Sequence, residues 1–307
     1  MEKTVLLTGA TGFLGSHILR TLVERDYEVV ILKRSFSDVD RIENISNSKI
    51  TLYDIDTINP EIPFAENDIE TVIHAATLYG KNGESTGEIL KANLLFPVNL
   101  IESGIKYRLK NFINIDTFFN SDKFKYEYLS DYILTKKQFI EWGKTFKAVK
   151  FINCKLFHLY GPNDDGKKFI NWLLLQLINE VPEIQLSGGM QRRDFIFVDD
   201  AVEAIIKILE NTGRHFAEYE IGTGNSIAIK DIILLTKELI ERERKEKLTT
   251  DLKFGALQYR EGEPFDEKAD IKNLAELGWR PTYSLEKGMQ RTLHSVQEQL
   301  KIQKSIV

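Results

Sequence analysis

A tyrosine and a lysine four residues apart could form a reactive centre in this chain of 307 residues. Tyr132 and Lys136 would lie on one face of a helix, because residues i and i+4 are neighbours on a helix surface. A phenol transfers protons near neutral pH only when its pKa is lowered, and a nearby ammonium lowers it by stabilising the phenolate. Such a pair also occurs by chance on solvated helices, so its meaning depends on the surrounding elements.

A glycine-rich turn near the N-terminus supplies the first of these elements. Thr8–Gly15 follows the apolar run Val5–Leu7 and precedes an amphipathic helix pattern. Gly9 allows a tight turn, Gly12 lets the backbone approach a pyrophosphate, and Gly15 permits close helix–strand packing. The N–H groups and dipole of the helix start would then face the phosphates. The turn predicts dinucleotide binding, and a purely structural strand–helix turn is the alternative.

The end of the second predicted strand, Val29–Leu32, bears on which dinucleotide is bound. NAD enzymes usually carry an acidic residue there for the ribose 2′-hydroxyl, whereas this strand continues into Lys33 and Arg34. A guanidinium can bind a 2′-phosphate through two parallel hydrogen bonds, so NADP(H) is favoured over NAD(H). Arg34 could instead stack on adenine or point to solvent. Asp54 and Ile55 are predicted beside the adenine, unless Asp54 only caps its own turn.

The order of apolar runs predicts an α/β fold. A parallel sheet covered on both faces requires buried strands separated by helical stretches. The predicted strands are 5–7, 29–32, 50–53, 71–73, 112–115 and 150–156. Later elements are a helix at 168–178, a strand at 194–198, a helix at 201–209, a solvated charged segment at 241–247 and a helix from 284. We expect a doubly wound Rossmann domain over residues 1–160, to which later segments return, and a smaller mixed α/β substrate-binding part over 161–307.

Composition excludes several classes of protein. The chain is 42% hydrophobic and 28% charged, with a net charge of −5, which argues against nucleic acid as the main partner. The single cysteine, Cys154, lies in an apolar run and is predicted to be a buried structural thiol. The five histidines show no metal-ligand spacing, so no metal is expected. Without a signal peptide or an apolar run of roughly 20 residues, we expect a cytoplasmic protein with no membrane segment.

With these elements in order, the sequence resembles the extended short-chain dehydrogenase/reductase family. The matching motifs are Thr8–Gly15, His74–Thr77, Asn93, Tyr132 with Lys136, Tyr160–Pro162, Arg193–Phe195 with Val198–Asp200, and Leu277–Pro281. In that family the tyrosine transfers the proton, while the lysine binds the nicotinamide ribose and lowers the tyrosine pKa. The resemblance implies cofactor contacts, beyond Lys33, Arg34, Asp54 and Ile55, from Gly9, Thr11, Gly12, Phe13, Leu14, Gly15, Ala75, Ala76, Thr77, Asn93, Tyr132 and Lys136.

One family feature differs in this chain. A serine or threonine after the fifth strand normally orients the substrate oxygen, and the usual position corresponds to Ile115. Thr117, two residues on, is the nearest hydroxyl and the predicted catalytic replacement. Asp116 could assist instead, or could cap the next turn.

The resemblance also assigns the C-terminal part to a nucleoside diphosphate sugar. Arg193 and Arg260 match positions that bind its pyrophosphate, which two guanidiniums can do with bidentate hydrogen bonds. Ion pairs of these arginines with Asp194 or Glu261 are the alternative. His158 could contact sugar hydroxyls or be structural, and Tyr79 is expected to line the sugar pocket, whose shape depends on loops 78–86 and 118–130.

Several stretches resemble bacterial CDP-abequose and CDP-paratose synthases of O-antigen biosynthesis, which reduce a 4-keto sugar nucleotide with NADPH. They are 77–85, 114–119, 193–200 and 254–256. The favoured hypothesis is therefore a nucleotide-sugar 4-ketoreductase, working as the homodimer that is common in the family. An NAD-dependent epimerase or dehydratase is the alternative, with dehydration disfavoured because Thr117 stands in the place of a dehydratase glutamate. A non-catalytic regulatory protein is a third possibility.

Overall fold

The computed structural model describes residues 4–45, 48–121 and 129–306 of the chain. The described strands are β1 (Thr4–Thr8), β2 (Glu28–Lys33), β3 (Ile50–Asp54), β4 (Ile69–His74), β5 (Asn111–Thr117), β6 (Lys150–Leu156), β7 (His158–Tyr160), β8 (Glu183–Leu186), β9 (Arg192–Arg193), β10 (Phe195–Phe197), β11 (Phe216–Ile221), β12 (Ile227–Ala228) and β13 (Asp251–Phe254). The α-helices are α1 (Phe13–Glu24), α2 (Ile62–Glu66), α3 (Thr86–Leu90), α4 (Phe96–Lys106), α5 (Ser130–Thr145), α6 (Phe169–Ile178), α7 (Val198–Glu210), α8 (Ile229–Arg244), α9 (Lys272–Glu276) and α10 (Leu285–Ile306).

A seven-stranded parallel sheet forms the centre of the molecule, in the order β3-β2-β1-β4-β5-β6-β11. The chain winds outward in both directions from β1 and β4, so the strand order reverses between these two strands. In open parallel sheets, ligands bind in the crevice outside the carboxyl ends of the strands at such a reversal. The topology confirms the predicted Rossmann fold and places the glycine turn, which follows β1, at that crevice.

Side-chain alternation along the strands divides the core into two layers. On β5, Phe112 packs in the layer that contains Phe139 of α5, whereas Ile113 and Ile115 pack in the opposite layer with Ile18 of α1. Because successive strand residues point to opposite faces, Asn114 and Asp116 share the face of Phe112. That face is the one covered by α5, the helix that carries Tyr132 and Lys136.

The later part of the chain forms three two-stranded sheets beside the main one, β7-β10, β9-β12 and β8-β13. Two buried aspartates tie its loops down. Asp194 accepts hydrogen bonds from the backbone N–H groups of Thr223 and Gly224 at 2.8 and 2.9 Å. Asp200 accepts from Thr282 and from the backbone of Tyr283. The aspartates of these two family motifs therefore hold the fold together.

All six predicted strands of the first half are confirmed, and two later boundaries differ. The predicted strand at 194–198 covers only Phe195–Phe197, because Val198 already begins α7, three residues before the predicted helix start. The sequence analysis also missed β11, whose Phe216–Ile221 segment supplies the seventh strand of the main sheet. Its half-buried, polar composition gives a weak strand signal. None of the described helices has the length and hydropathy needed to cross a bilayer.

Candidate active site

The glycine turn leaves backbone open at the head of α1. Gly9 has a φ of 72°, and a Cβ there would come within 2.7 Å of the backbone nitrogen of Ala76. A Cβ on Gly15 would overlap the Gly9 carbonyl, so the helix can approach the strand only with glycine. Among the described residues no side chain caps α1, and Gly12 at its N-cap is exposed. Uncapped N–H groups at a helix start suit a phosphate, so this turn fits a pyrophosphate.

The end of β4 is fixed against this turn. The Thr8 hydroxyl lies 2.8 Å from Nδ1 of the buried His74 and accepts a hydrogen bond from the backbone N–H of Ala76 at 3.2 Å. The backbone N–H of Ala75 donates to the Thr8 carbonyl. These bonds hold Ala75 and Ala76 beside Gly9, at the edge of the crevice where the family resemblance predicts cofactor contacts.

Charged residues after β2 and β3 form a hydrogen-bonded cluster, which we call the ribose edge (Lys33, Arg34, Ser35, Asp54 and Asp56). Arg34 Nε donates to Asp56 Oδ1 at 2.5 Å, and its guanidinium lies 4.9 Å from the ring centre of Phe36. No described residue is hydrogen-bonded to the terminal nitrogens of Arg34, so a bidentate face remains for an anion. Lys33 Nζ lies 3.8 Å from Asp54 Oδ2.

Asp54 accepts hydrogen bonds both within its own turn and from the segment after β2. It accepts the hydroxyl of Ser35 at 2.8 Å and the backbone N–H of Asp56 at 3.0 Å. The Ser35 hydrogen bond is the main cause that lowers the pKa of Asp54, so its carboxylate is ionised at neutral pH. Ile55 is half-buried against the core layer under β2. Asp56 was missed in the sequence, although it stands two residues after Asp54.

Tyr132 and Lys136 lie one turn apart in α5, as predicted, and both are buried. Lys136 Nζ donates a 2.7 Å hydrogen bond to the carbonyl oxygen of Ile115 on β5. Burial lowers the pKa of Lys136 to about 8, and the nearby charge of Asp116 opposes that shift. The ammonium is thus held by the sheet near the carboxyl end of β5.

Tyr132 is enclosed by an aromatic ring and a hydroxyl. The ring of Tyr79 lies 4.9 Å from that of Tyr132, centre to centre, and covers it from the solvent side. Burial raises the pKa of Tyr132 well above its ordinary value, the charges of Tyr79 and Asp116 raise it further, and a hydrogen bond with Thr117 lowers it. Desolvation is the dominant cause of this shift in the Tyr132 pKa, and the lowering expected from the ammonium of Lys136 stays a prediction. A phenol in this state keeps its proton at neutral pH.

The hydroxyl at the end of β5 is Thr117. Ile115 is buried in the core layer beneath the sheet and offers only its backbone carbonyl, whereas Thr117 contacts the phenol of Tyr132. The turn after β5 is closed by Thr117 itself, whose Oγ1 accepts from the backbone N–H of Phe119 at 3.3 Å. The expectation that Asp116 caps this turn is incomplete, because its Oδ2 accepts the side-chain amides of Asn120 and Asn153 at 3.1 and 3.0 Å.

Asn93 lies in a π-helical turn, Lys91–Leu95, between α3 and α4. Its Oδ1 accepts from the backbone N–H of Leu78 at 2.8 Å and from Thr77, and its Nδ2 donates to the Leu78 carbonyl and to Thr135 of α5. The residue therefore joins the segment after β4 to α5. π-Turns in helices are frequent at functional sites, and this one has no signal in the sequence.

His158 is the first residue of β7, directly after the end of β6. Its ring is 4.4 Å from that of Phe118 and 5.3 Å from that of Phe195. Burial lowers its pKa to about 3, with a smaller contribution from the charge of Arg193, so the imidazole is neutral. Its Nε2 is buried without a partner among the described residues. An unsatisfied buried nitrogen beside Phe118 suits a ligand hydroxyl.

Arg193 is paired with a carboxylate that the sequence analysis did not name. Its Nη2 donates to Glu263 Oε1 at 2.6 Å, and the arginine side chain is 6% exposed. For Arg193 the alternative partner Asp194 was therefore wrong, since Asp194 instead binds backbone N–H groups of the later loops. Arg260 is exposed, and its carbonyl accepts the backbone N–H of Glu263 at 3.2 Å. Glu263 thus brings the Arg260 segment to Arg193.

The remaining expectations concern the single cysteine, metal ligands and the second pocket loop. Cys154 is fully buried, as predicted, and burial raises its thiol pKa, so it is no nucleophile. Within the described residues, no group of three or more His, Cys, Asp or Glu side chains could hold a metal ion. Of the second pocket loop, 118–130, residues 122–128 lie outside the described part of the chain.

These features define an NAD(P)-dependent oxidoreductase of the extended short-chain dehydrogenase/reductase type, with the reactive pair at the carboxyl edge of a Rossmann sheet. Residues 5–222 match the model of the NAD dependent epimerase/dehydratase family. The chain belongs to that family.

Known relatives of this chain act on nucleotide sugars. It is 33% identical to a CDP-abequose synthase of Salmonella typhimurium over 95% of the chain and 98% of the relative. It is 28% identical to a dTDP-4-dehydro-6-deoxyglucose reductase of Escherichia coli over 96% and 98%. The fold matches a UDP-N-acetylglucosamine 4-epimerase of Methanobrevibacter ruminantium M1 with a TM-score of 0.84 at 21% identity, over 97% of this chain and 99% of that one. The chain is a nucleotide-sugar-modifying enzyme.

Proposed function

We propose that this protein reduces the 4-keto group of a nucleoside diphosphate 6-deoxy sugar with NADPH, in bacterial surface-polysaccharide (O-antigen) biosynthesis. The observation that carries the proposal is the buried Tyr132, which keeps its proton and lies between Thr117 and Tyr79. A reductase needs a group that arrives protonated and gives its proton to the developing alkoxide. The 33% identity to a CDP-abequose synthase supports the same class of substrate.

Three residues of the site have separate roles in this reaction. NADPH, when bound, would supply the hydride to the keto carbon. Tyr132 gives its phenolic proton to the carbonyl oxygen, so the ketone becomes a secondary alcohol. The Thr117 hydroxyl donates a hydrogen bond to the same oxygen, and the Lys136 ammonium stabilises the phenolate that Tyr132 leaves behind. Orientation of the carbonyl against its reductant supplies much of the rate.

The cofactor and substrate contacts follow from the placement of the predicted residues. The uncapped turn Gly9–Gly15 would hold the pyrophosphate of the cofactor, and Asn93 would support the nicotinamide end through α5. The terminal nitrogens of Arg34 would bind a 2′-phosphate, which supports NADP(H). Arg193 and Arg260 would bind the sugar-nucleotide pyrophosphate after Glu263 yields its ion pair, and His158 and Tyr79 would line the sugar pocket.

A panel of substrates tests this proposal. CDP-, dTDP-, GDP- and UDP-4-keto-6-deoxy sugars are offered with NADPH or NADH, and cofactor oxidation is followed together with the sugar product by NMR. We expect oxidation of NADPH with at least one keto sugar and a new C4 hydroxyl in its product. Absence of oxidation with every member of the panel contradicts the reductase.

A 4-epimerase that retains NAD is the second candidate, favoured by one observation. Two carboxylates, Asp54 and Asp56, stand at the ribose edge, and a carboxylate there is the usual partner of an unphosphorylated ribose. Release and identification of the cofactor from purified protein separates the candidates. Tightly retained NAD⁺ indicates the epimerase, whereas exchangeable NADP(H) indicates the reductase.

We further propose that the enzyme is a homodimer through the outer faces of α5 and the π-turn. Leu134 and Trp142, two turns apart on one face of α5, are 55% and 54% exposed, and Leu95 on the neighbouring π-turn is 53% exposed. Large apolar side chains concentrated on adjacent helices mark an interface. Trp142→Glu should convert the dimer to monomer in analytical ultracentrifugation. A wild-type monomer at micromolar concentration contradicts the dimer.

A further inference from the structure

The middle of the sheet contains a buried polar network on the face that α5 covers. Asn114 Nδ2 donates to Asn153 Oδ1 at 2.8 Å, and Asn153 Nδ2 donates to Asp116 Oδ2 and to Glu218 Oε2, each at 3.0 Å. Lys155 pairs with Glu218 at the outer end, 2.7 Å away. The network therefore runs across β5, β6 and β11, from a half-exposed ion pair at Glu218 to the buried carboxylate of Asp116.

A carboxylate at this depth is costly, and the sheet does not need it. Asp116 is 3% exposed, Asn114 and Asn153 are fully buried, and apolar side chains could fill the same positions of a parallel sheet. The two amides satisfy only Oδ2, because Oδ1 is buried without a hydrogen-bond partner among the described residues. Burial raises the pKa of the Asp116 carboxyl, whereas the two amide donors and the charge of Lys136 oppose that rise and favour the ionised form. Hydrogen bonds within the fold thus account for Oδ2 of Asp116 but not for Oδ1.

The side chain of Asp116 lies where its charge reaches the reactive pair. Asp116 shares the face of Phe112, and Phe112 contacts Phe139 of α5 with ring centres 5.8 Å apart. One turn before Phe139, Lys136 donates to the carbonyl of Ile115, the residue adjacent to Asp116. Lys136 has no acidic hydrogen-bond partner among the described residues. The hydrogen bond of its buried ammonium goes to the Ile115 carbonyl, which carries no net charge. A buried ammonium is stable only with a compensating charge nearby.

We propose that Asp116 is a positioning residue that supplies the buried counter-charge of Lys136 and thereby holds both Lys136 and Tyr132 in their protonated forms. A negative charge favours the cation of the lysine and disfavours the anion of the tyrosine, so it acts on both in the same direction. Asn153 and Asn120 hold the carboxylate, and no part of Asp116 needs to touch the substrate. The proposal rests on the proposed function for its catalytic meaning but concerns the protonation of the pair itself.

Titratable groups approach Asp116 and Lys136 from several elements of the fold. Lys136 and Tyr132 face Asp116 from α5, and Glu218 with its partner Lys155 lies beyond Asn153 on β11 and β6. Cys154 of β6 lies on the opposite face of the sheet. The buried His74 of β4 packs against α5 near Lys136, and burial lowers its pKa well below the ordinary value, so this imidazole is neutral. Lys136 titrates near neutral pH, since burial brings its pKa to about 8. The Asp116 charge opposes that fall, so its removal should bring the lysine pKa lower still.

NMR titration of Lys136 tests the proposal without any substrate. The protein is prepared with ¹³C at the lysine Cε, and the Lys136 signal is identified by its loss in Lys136→Met. Asp116→Asn keeps a similar shape and can still accept the amides of Asn120 and Asn153. We expect it to lower the pKa of Lys136 by about one unit or more, the usual effect of removing an adjacent opposite charge. An unchanged Lys136 pKa overturns the proposal.

Glu218→Gln is the matched control. It removes the same charge from the same network, but at the half-exposed outer end, where water screens the interaction. A Lys136 shift as large as that of Asp116→Asn would assign the effect to the network as a whole and contradict a specific role of Asp116.

Two further readouts keep the test decisive. If Asp116→Asn does not fold, the wild-type Lys136 signal must show a second inflection at the pH where Asp116 itself titrates, and its absence overturns the proposal. In the folded variant, the alkaline fall of kcat/KM should move to lower pH, because the acid loses its proton earlier. A lowered Lys136 pKa with an unchanged pH profile of kcat/KM supports the counter-charge role of Asp116. It contradicts the proposed role of Tyr132 as the acid that Lys136 assists.

Discussion

Two clusters of charged side chains flank the crevice of this enzyme and differ above all in their contact with water. Around Tyr132, Lys136 and Asp116 are buried, with 2% and 3% of each residue exposed to solvent. At the ribose edge, half of the Arg34 side chain is exposed. Both clusters contain cations next to carboxylates. In the first, desolvation is the largest cause of the pKa shifts, whereas in the second the shift of Asp54 comes mainly from a hydrogen bond.

This difference separates two tasks. A buried group can change its protonation behaviour strongly, because the charges near it act through a medium of low dielectric. An exposed guanidinium keeps its charge and supplies affinity and selectivity, but water and salt weaken each of its contacts. The buried cluster is suited to chemistry and the ribose edge to recognition. Four changes test that division.

The largest expected effect is the loss of the proton donor. Tyr132→Phe removes the hydroxyl and keeps the ring that packs against Tyr79, so the fold should be preserved. Turnover should fall between about 100- and 10,000-fold, the usual contribution of general acid catalysis, with NADPH affinity nearly unchanged. Steady-state kinetics and fluorescence titration of NADPH measure the two quantities. Wild-type turnover in the variant would remove Tyr132 from the mechanism.

The second effect is a pH-dependent contribution of Lys136 to stability. The lysine titrates near pH 8 in the folded protein and near 10.5 when unfolded. Between these values the unfolded chain binds the extra proton, so the free energy of unfolding of the wild type rises with pH. The gain relative to Lys136→Met should approach about 3 kcal/mol by pH 10.5, at 1.36 kcal/mol for each pKa unit.

Urea unfolding of both proteins at pH 7.5 and pH 10.5 measures this gain, and the difference between the two proteins cancels the other groups that titrate. Parallel pH dependence of the wild type and Lys136→Met would show that Lys136 titrates normally in the folded state, and the contrast between the clusters would fail.

The third effect concerns cofactor selectivity at the ribose edge. Arg34→Ala should weaken NADPH binding about tenfold and leave NADH binding nearly unchanged, because only the 2′-phosphate meets the guanidinium. Calorimetric titration with both cofactors measures it. Arg20→Ala, which removes an exposed arginine of α1, is the matched control with no expected effect. Equal losses for NADPH and NADH would contradict recognition of the phosphate.

The smallest effect is that of salt, and it compares the clusters directly. Raising ionic strength from 0.05 to 0.5 M, roughly a threefold shortening of the Debye length, should weaken NADPH binding several-fold. The pKa of Lys136, followed by NMR, should not move, because its surroundings exclude ions. A comparable response of both quantities would show that the catalytic cluster is open to solvent.

The fold was largely predictable because its signals are local. Each buried parallel strand is a short apolar run, and the turn after β1 needs glycine for steric reasons that hold in any context, so the first six strands and the Rossmann class followed directly. β11 was missed because its half-buried Ala217 and Glu218 lack the apolar pattern, and it is a strand only because β6 offers it an edge.

The site was predictable to the extent that its residues are close along the chain. Tyr132 and Lys136 share a helix, and Arg34 follows directly on a strand, so their spacing predicted where they lie, whereas their roles came from the family resemblance. The partners Asp56 of Arg34 and Glu263 of Arg193 come from 22 and 70 residues away, and local reasoning named the wrong acid for Arg193. Asn114 and Asn153, two polar residues inside apolar strands, were the available signals for the buried network.

The sequence by itself determined which chemical groups this protein has, and where its backbone must bend. Residue types and their spacing specified the glycine turn, the tyrosine–lysine pair and the class of fold, because helix and strand periods act over a few residues. Only the tertiary structure decided the protonation behaviour of those groups. The pKa of Tyr132 and that of Lys136 depend on how completely α5, β5 and Tyr79 exclude water, and on a carboxylate that another strand holds in place.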